Sequence, residues 1–277
     1  WVLMKSLLFA PGNQADVLAK LPRSQPSAAV IDLEDATPPE QKEQARQIAV
    51  STANQLATTL PLLVRINGLD SPWFGEDITH GLTQQLAGVV VPKLTNAAEV
   101  AKVVDALDNA GFANLNIMAG LETVAGVVQA VDVTSHPRVH WCYFGAEDYI
   151  ADLGGVRRPD NLEVLMARSQ VGQAARLGGA VALDMVVTDF SDDQRFTRES
   201  QEARALGFAG KLCIHPRQVA LANEAFMPSP EELSWAKQVV EAYQKGLSEG
   251  QASIAVNGEM VDEPVARRAR ALLDQTK

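Results

Sequence analysis

Short apolar runs, each closed by a polar residue or by Gly or Pro, return eight times between residues 6 and 216, with helix-length stretches between them. They read SLLFAPG near 6–12, AAVIDLED near 28–35, PLLVRING near 61–68, GVVVPKL near 88–94, LNIMAGLE near 115–122, VHWCYFGAED near 139–148, AVALDMVV near 180–187 and GKLCIHP near 210–216. None alternates cleanly between polar and apolar residues, the pattern of parallel strands buried on both faces. The intervening segments carry helix chemistry. PPEQKEQARQIAV opens on prolines, and TNAAEVAKVVDALDNAG and LEVLMARSQVGQAARLGG both run to a glycine stop. Eight such units in 277 residues, with no Gly/Pro/Ser-rich linker between halves, predict an α/β fold. The reading is a single (β/α)8 TIM barrel over residues 1–222 with a C-terminal helical extension over 223–277. A doubly wound sheet is the rival, but it needs a glycine-rich first turn, and Ala10-Pro11-Gly12-Asn13 offers this only weakly.

A barrel of this kind builds its site at the C-terminal ends of its strands, so the last residues of each run carry the information. Run two ends Asp32-Leu33-Glu34-Asp35, run three offers Arg65 and Asn67, and run four Lys93. Run five stops at Glu122, run six at Glu147-Asp148, and run eight at His215. Buried charge costs several kcal/mol unless paired or metal-bound, so a purely structural barrel has little use for this collection. Other classes recede on composition. The formal charge of −10 disfavours a polyanion, so no nucleic-acid partner is expected. No apolar run approaches the ~20 residues of a bilayer span, and the opening Trp1-Val2-Leu3-Met4-Lys5 lacks signal-peptide character. The expectation is a cytoplasmic protein with no membrane partner, its two cysteines, Cys142 and Cys213, reduced core residues.

Glu122 and Asp148 close adjacent runs, and neighbouring strand ends lie about 5 Å apart, so both can reach one cation. Two carboxylates with positions left for water and substrate suit Mg²⁺. The competing reading makes each acid a helix cap or the partner of a nearby base. A guanidinium at Arg65 can hold a substrate carboxylate or an enolate oxygen, or pair with Glu34 or Asp35. Lys93 is the lesser candidate, as a Schiff-base nucleophile.

The ordered set SLLFAPGN, AAVIDLEDA, VRIN, VVVPK, LET, FGAEDYIADLG, CIHPRQV and NGEMVDEP resembles the citrate lyase β-subunit/HpcH aldolase superfamily, specifically its CitE-like branch. The resemblance spans nearly the whole chain. It implies a homotrimer, or a hexamer built from trimers, and a metal-dependent carbon–carbon lyase. The reaction splits a 3-hydroxyacyl thioester, such as a citramalyl-CoA, malyl-CoA or citryl-type ester, into an acetyl thioester and a 2-oxo acid. By the same resemblance Glu122 and Asp148 hold Mg²⁺, with Mn²⁺ as a substitute, and Arg65 is catalytic and binds substrate. Gly145, Ala146 and Glu147 bind the 2-oxo acid's carboxylate, while Glu34 and Asp35 stand behind the ligands. Asp262 of MVDEP is the acid/base, reaching into a neighbouring subunit; its bland alternative is a helix N-cap ahead of PVARRARALL. Lys5 stands where the family often has arginine. A citrate lyase complex subunit, a thioester hydrolase on the same barrel and a non-enzymatic binding barrel are the rival functions.

Overall fold

The computed structural model describes residues 4–275; Trp1-Val2-Leu3, read above for a targeting signal, lie outside the described residues. All eight apolar runs are strands: β1 (Ser6–Pro11), β2 (Ala28–Asp32), β3 (Leu62–Arg65), β4 (Gly88–Val91), β5 (Asn116–Leu121), β6 (Val139–Phe144), β7 (Val181–Asp184) and β8 (Gly210–Cys213). They pair in parallel in chain order, and β1 closes on β8 through Ser6↔Lys211 to Leu8↔Cys213. The fold is a closed (β/α)8 barrel.

Alternation along the strands sorts side chains between two cores. One residue set, including Leu7, Val30, Leu63, Val90, Met118, Tyr143, Leu183 and Leu212, packs as a cluster of strand residues inside the barrel. The intervening set, including Leu8, Ile31, Val64, Val89, Ala119 and Cys142, packs with helix residues such as Ala49, Val103 and Val171. Truncating one fully buried residue, such as Leu63→Ala, costs on the order of 2–5 kcal/mol. Both cysteines are buried and free, and burial pushes each thiol up to about 12.

Helices begin and end where the chemistry allows. Asn96 caps the helix Ala97–Asn109 by accepting from the Glu99 N–H, while the Glu99 carboxylate accepts from the Thr95 N–H at 2.7 Å. Gly179, at φ +79°, ends the helix Leu165–Gly178 in the left-handed conformation that glycine adopts without Cβ strain.

The chain divides into two compact units, one running to Phe226 and the other beginning at Met227. The second contains the helices Pro230–Ser248 and Glu263–Asp274 and a hairpin of β9 (Ile254–Val256) and β10 (Glu259–Val261). Its turn is Asn257-Gly258, both at positive φ, as a two-residue hairpin requires. Its core is Ala236, Val239, Tyr243, Val261, Ala266 and Ala269.

Candidate active site

Continuing the inward alternation past the interior core places the functional residues. Beyond Val30 the next inward position on β2 is Asp32; beyond Leu63 it is Arg65; beyond Met118 come Gly120 and then Glu122. The β2–β3 register sets Asp32 directly beside Arg65, and the pair is bidentate, Arg65 Nε donating to Oδ1 at 2.8 Å and Nη2 to Oδ2 at 2.6 Å. Nη1 lies 2.9 Å from Glu34 Oε2. Two of the guanidinium's five donors thus hydrogen-bond Asp32, while the Nη1–Glu34 contact is an ion pair in which Glu34 Oε2 accepts no hydrogen bond. Burial alone would lower the Arg65 pKa, but Asp32, by hydrogen bond and by charge, raises it well above the ordinary value. Among the residues proposed to hold Arg65, Glu34 does so and Asp35 does not: Asp35 is exposed on the cavity wall. The principal partner is Asp32, a residue to which the sequence assigned no role.

Glu122 is fully buried. Its Oε1 accepts from Tyr143 OH at 2.6 Å and from the Lys93 N–H at 3.2 Å. Neither donor is a cation, and among the described residues no Lys or Arg forms an ion pair with it. Burial pushes its carboxyl up to about 7, with the Tyr143 hydrogen bond and then the Arg65 charge opposing. Two glycines make room for it: a Cβ on Gly120 would lie 2.5 Å from Oε1, and one on Gly145 2.4 Å from Oε2. The second oxygen therefore sits against bare backbone at the cavity.

Lys93, just beyond β4, has a left-handed backbone at φ +56°. Its Nζ donates to Glu34 Oε1 at 2.9 Å and lies 3.5 Å from Asp148 Oδ1. Burial alone would lower its pKa; the Glu34 hydrogen bond and charge, with Glu122 and Asp148 adding, raise it. A lysine held protonated in this way is a poor amine nucleophile, which weighs against the Schiff-base role. Burial likewise raises Glu34, against Arg65 and Lys93.

Glu147 and Asp148 are not strand residues. β6 stops at Phe144, and both acids fall in the first turn of the helix Ala146–Leu153, where carboxylates are favoured by the helix dipole. Gly145 precedes that helix without a side-chain cap, so the first-turn amides lack an internal acceptor. A cavity of about 450 Å³ is lined by Phe9, Arg65, Glu122, Tyr143, Asp148 and others, and the Gly145-Ala146-Glu147 segment forms part of its wall. The Glu147 carboxylate itself accepts from Arg157 Nε at 3.0 Å. His215 caps the helix Pro216–Ala225, its Nδ1 accepting from the Arg217 N–H at 3.2 Å. In the second unit Asp262 caps Glu263–Asp274, Oδ1 accepting from the Val265 N–H at 3.4 Å.

The donors fit a divalent cation. Glu122 offers a buried carboxylate with no cationic partner and a second oxygen without a hydrogen bond among the described residues. Asp148 offers another on the same cavity. Both are hard oxygen donors, as Mg²⁺ prefers.

Acids, a fixed guanidinium and uncapped helix-turn amides at the strand ends of a parallel barrel mark an enzyme site, and its family makes the chain a carbon–carbon lyase. The chain belongs to the HpcH/HpaI aldolase/citrate lyase family, whose model matches residues 5–216. It is 50% identical to a citrate lyase subunit beta-like protein of Deinococcus radiodurans, over 98% of this chain and 96% of that one. It is 30% identical to a mitochondrial citramalyl-CoA lyase of Mus musculus, over 99% and 86%. Among solved structures, CitE of Mycobacterium tuberculosis in complex with magnesium, acetoacetate and coenzyme A superposes with a TM-score of 0.84. That match has 30% identity and covers 98% of this chain and 97% of the other. Among the described residues no helix is long and apolar enough to cross a membrane.

Proposed function

We propose that the protein cleaves the C2–C3 bond of a 3-hydroxyacyl-CoA thioester, giving an acetyl thioester and a 2-oxo acid, with Mg²⁺ held by Glu122 and Asp148. The observation that carries this reading is a buried Glu122 carboxylate with no ion pair to a Lys or Arg among the described residues, facing a cavity it shares with Asp148 and Arg65. The magnesium, acetoacetate and coenzyme A of the similar Mycobacterium tuberculosis structure support it.

In the cleavage direction the 3-hydroxyl gives its proton to solvent, its oxygen forms the carbonyl, and the C2–C3 pair moves onto the thioester as an enolate. Bound between the acids, the cation would lower the pKa of that hydroxyl and neutralise the 2-oxo acid. The N–H groups of Arg65 that do not bond Asp32 stabilise the enolate oxygen, their plane fixed by the bidentate Asp32. Of Gly145, Ala146 and Glu147, the amides at Ala146 and Glu147 receive the 2-oxo acid's carboxylate, the Gly145 N–H being donated to Leu121 O at 3.2 Å. Tyr143 orients Glu122 through its hydroxyl.

The enolate carbon then needs a proton. Asp262 of a neighbouring subunit in a homotrimer, or in a hexamer built from trimers, is the donor in this scheme, and takes the proton back in condensation. Asp148→Ala and Asp262→Ala proteins should each be inactive, and mixing after dissociation should restore part of the activity. No recovery despite subunit exchange would remove the shared site. If Asp262 is a cap alone, Asp262→Ala keeps its turnover and loses about 1 kcal/mol of stability.

The reading as a whole is tested with a panel of citramalyl-, malyl- and citryl-type CoA thioesters. Chelation should abolish formation of acetyl-CoA and 2-oxo acid, and Mg²⁺ or Mn²⁺ should restore it. Full activity after chelation, or release of free thiol without a 2-oxo acid, overturns the lyase.

A further inference from the structure

Lys93 touches three of the acids at this end of the barrel, Glu122, Glu34 and Asp148, by two different means. Its main-chain N–H donates to Glu122, and its ammonium reaches Glu34 and Asp148. Lys93 makes both contacts from a left-handed backbone, at φ +56°. A residue with a Cβ holds that conformation only where its surroundings over-determine it, and such outliers gather at functional sites.

The ammonium's two contacts are unequal. Glu34, a nearly buried acid, is at 2.9 Å, whereas Asp148, whose side chain is 40% exposed, is at 3.5 Å. Lysine is a point charge on a flexible stem with three rotatable donors, so it can release one acid and keep the other. Asp148 is also the weaker-held of the two carboxylates read above as cation ligands. A protonated lysine beside it therefore repels an incoming cation.

We propose that Lys93 is an internal counter-ion of the cation site: its ammonium neutralises Asp148 until a divalent cation binds, then withdraws onto Glu34. The lysine thereby sets how tightly the site holds its ion. This rests on the reading of Glu122 and Asp148 as ligands and goes beyond it, because it fixes the sign of a mutational effect. Removing a side chain that merely positions Asp148 would loosen the ion. Removing a competing charge tightens it.

The test is Mn²⁺ affinity of the full chain, read from the electron-paramagnetic-resonance signal of the free ion, with no substrate or turnover involved. Lys93→Met keeps the stem and drops the charge. It should bind Mn²⁺ about tenfold more tightly at low salt, with the gain shrinking as ionic strength rises. Lys93→Arg should stay within about threefold of the wild type. Glu34→Gln removes the position to which the ammonium withdraws, and should weaken Mn²⁺ binding by about threefold or more; it decides the matter if Lys93→Met fails to fold. Unchanged or weaker binding in Lys93→Met, or tighter binding in Glu34→Gln, overturns the counter-ion role and leaves the ligand assignment standing. If the wild type binds no Mn²⁺ and Glu122→Gln behaves identically, the ligand assignment falls and takes this role with it.

Discussion

Acids and bases meet on the strands of this barrel in two places, and the alternation of the strands separates them. At the ends of β2, β3 and β5, Asp32, Arg65 and Glu122 follow the inward positions. On β7 and β8, Asp184 and Lys211 alternate with the interior residues Leu183 and Leu212, so they face outward and lie under helices. There Lys211 Nζ donates to Asp184 Oδ2 at 2.8 Å, and Arg168 grips the same carboxylate through Nε at 3.0 Å and Nη2 at 2.9 Å. Glu199 completes the set, 2.7 Å from Arg195 Nε and 3.8 Å from Lys211 Nζ. Asp184, Lys211 and Glu199 are wholly inaccessible, and each acid has its cation. The outer cluster gives each acid a cation, though Glu199 Oε2 accepts no hydrogen bond, whereas the inner one borders a cavity and leaves Glu122, among the described residues, with a hydroxyl and an amide only. Charge on a barrel strand is therefore not itself a mark of function; an acid without a cation beside a cavity is.

The two clusters should fail in opposite ways. Glu122→Gln should lose about a thousandfold or more in kcat/KM, about 4 kcal/mol of barrier, with an unfolding midpoint no lower than the wild type's. Asp184→Asn leaves Lys211 only Glu199 at 3.8 Å and Arg168 only Glu202 at 3.4 Å as acid partners, and should cost about 3 kcal/mol of stability in urea melts, with kcat/KM within about threefold. Normal turnover in the first or unaltered stability in the second would erase the distinction. Arg65→Lys sharpens it within the inner cluster. The charge survives but the planar fork does not, and kcat/KM should fall by about a hundredfold, on the scale of one lost oxyanion donor. Near-normal kinetics would make Arg65 as structural as Arg168.

The smallest effect is one of acidity. Burial works against the charge on Asp184, but Lys211 and then Arg168 outweigh it and hold its carboxyl below the ordinary value. A depressed folded pKa contributes stability above the unfolded value of about 3.9, lost as pH falls through the folded one. The stability gap between wild type and Asp184→Asn should thus be level above about pH 5 and narrow below about pH 4. A gap unaltered at pH 3 would mean that Asp184 gains nothing from its cations.

The eight strands were legible because burial on both faces turns each into an uninterrupted apolar run, and the barrel followed from their count and spacing. Arg65 and Glu122 were legible as strand-end residues, and the structure brings both to one cavity with Asp148, which comes from the helix after β6. Asp32 was not, because Asp32-Leu33-Glu34-Asp35 offers three acids and only the β2–β3 register decides which of them lies beside Arg65. Tyr143 was hidden inside an apolar run, where its ring reads as core and its hydroxyl is silent. Glu147 and Asp148 were placed on the strand because nothing local marks where β6 gives way to helix except Gly145. Lys93's engagement with Glu34 and Asp148 depends on a backbone angle, for which a single lysine codon carries no signature.

Gly145 has no reactive atom, yet it decides whether Glu122 has anywhere to point. Any substituent there would stand 2.4 Å from Oε2, so one methyl group would act as a stopper in a drain. A chain could keep every charged residue of the site and still be shut by alanine at that position. In sorting working barrels of this design from silent copies, the most telling letter is thus a blank one.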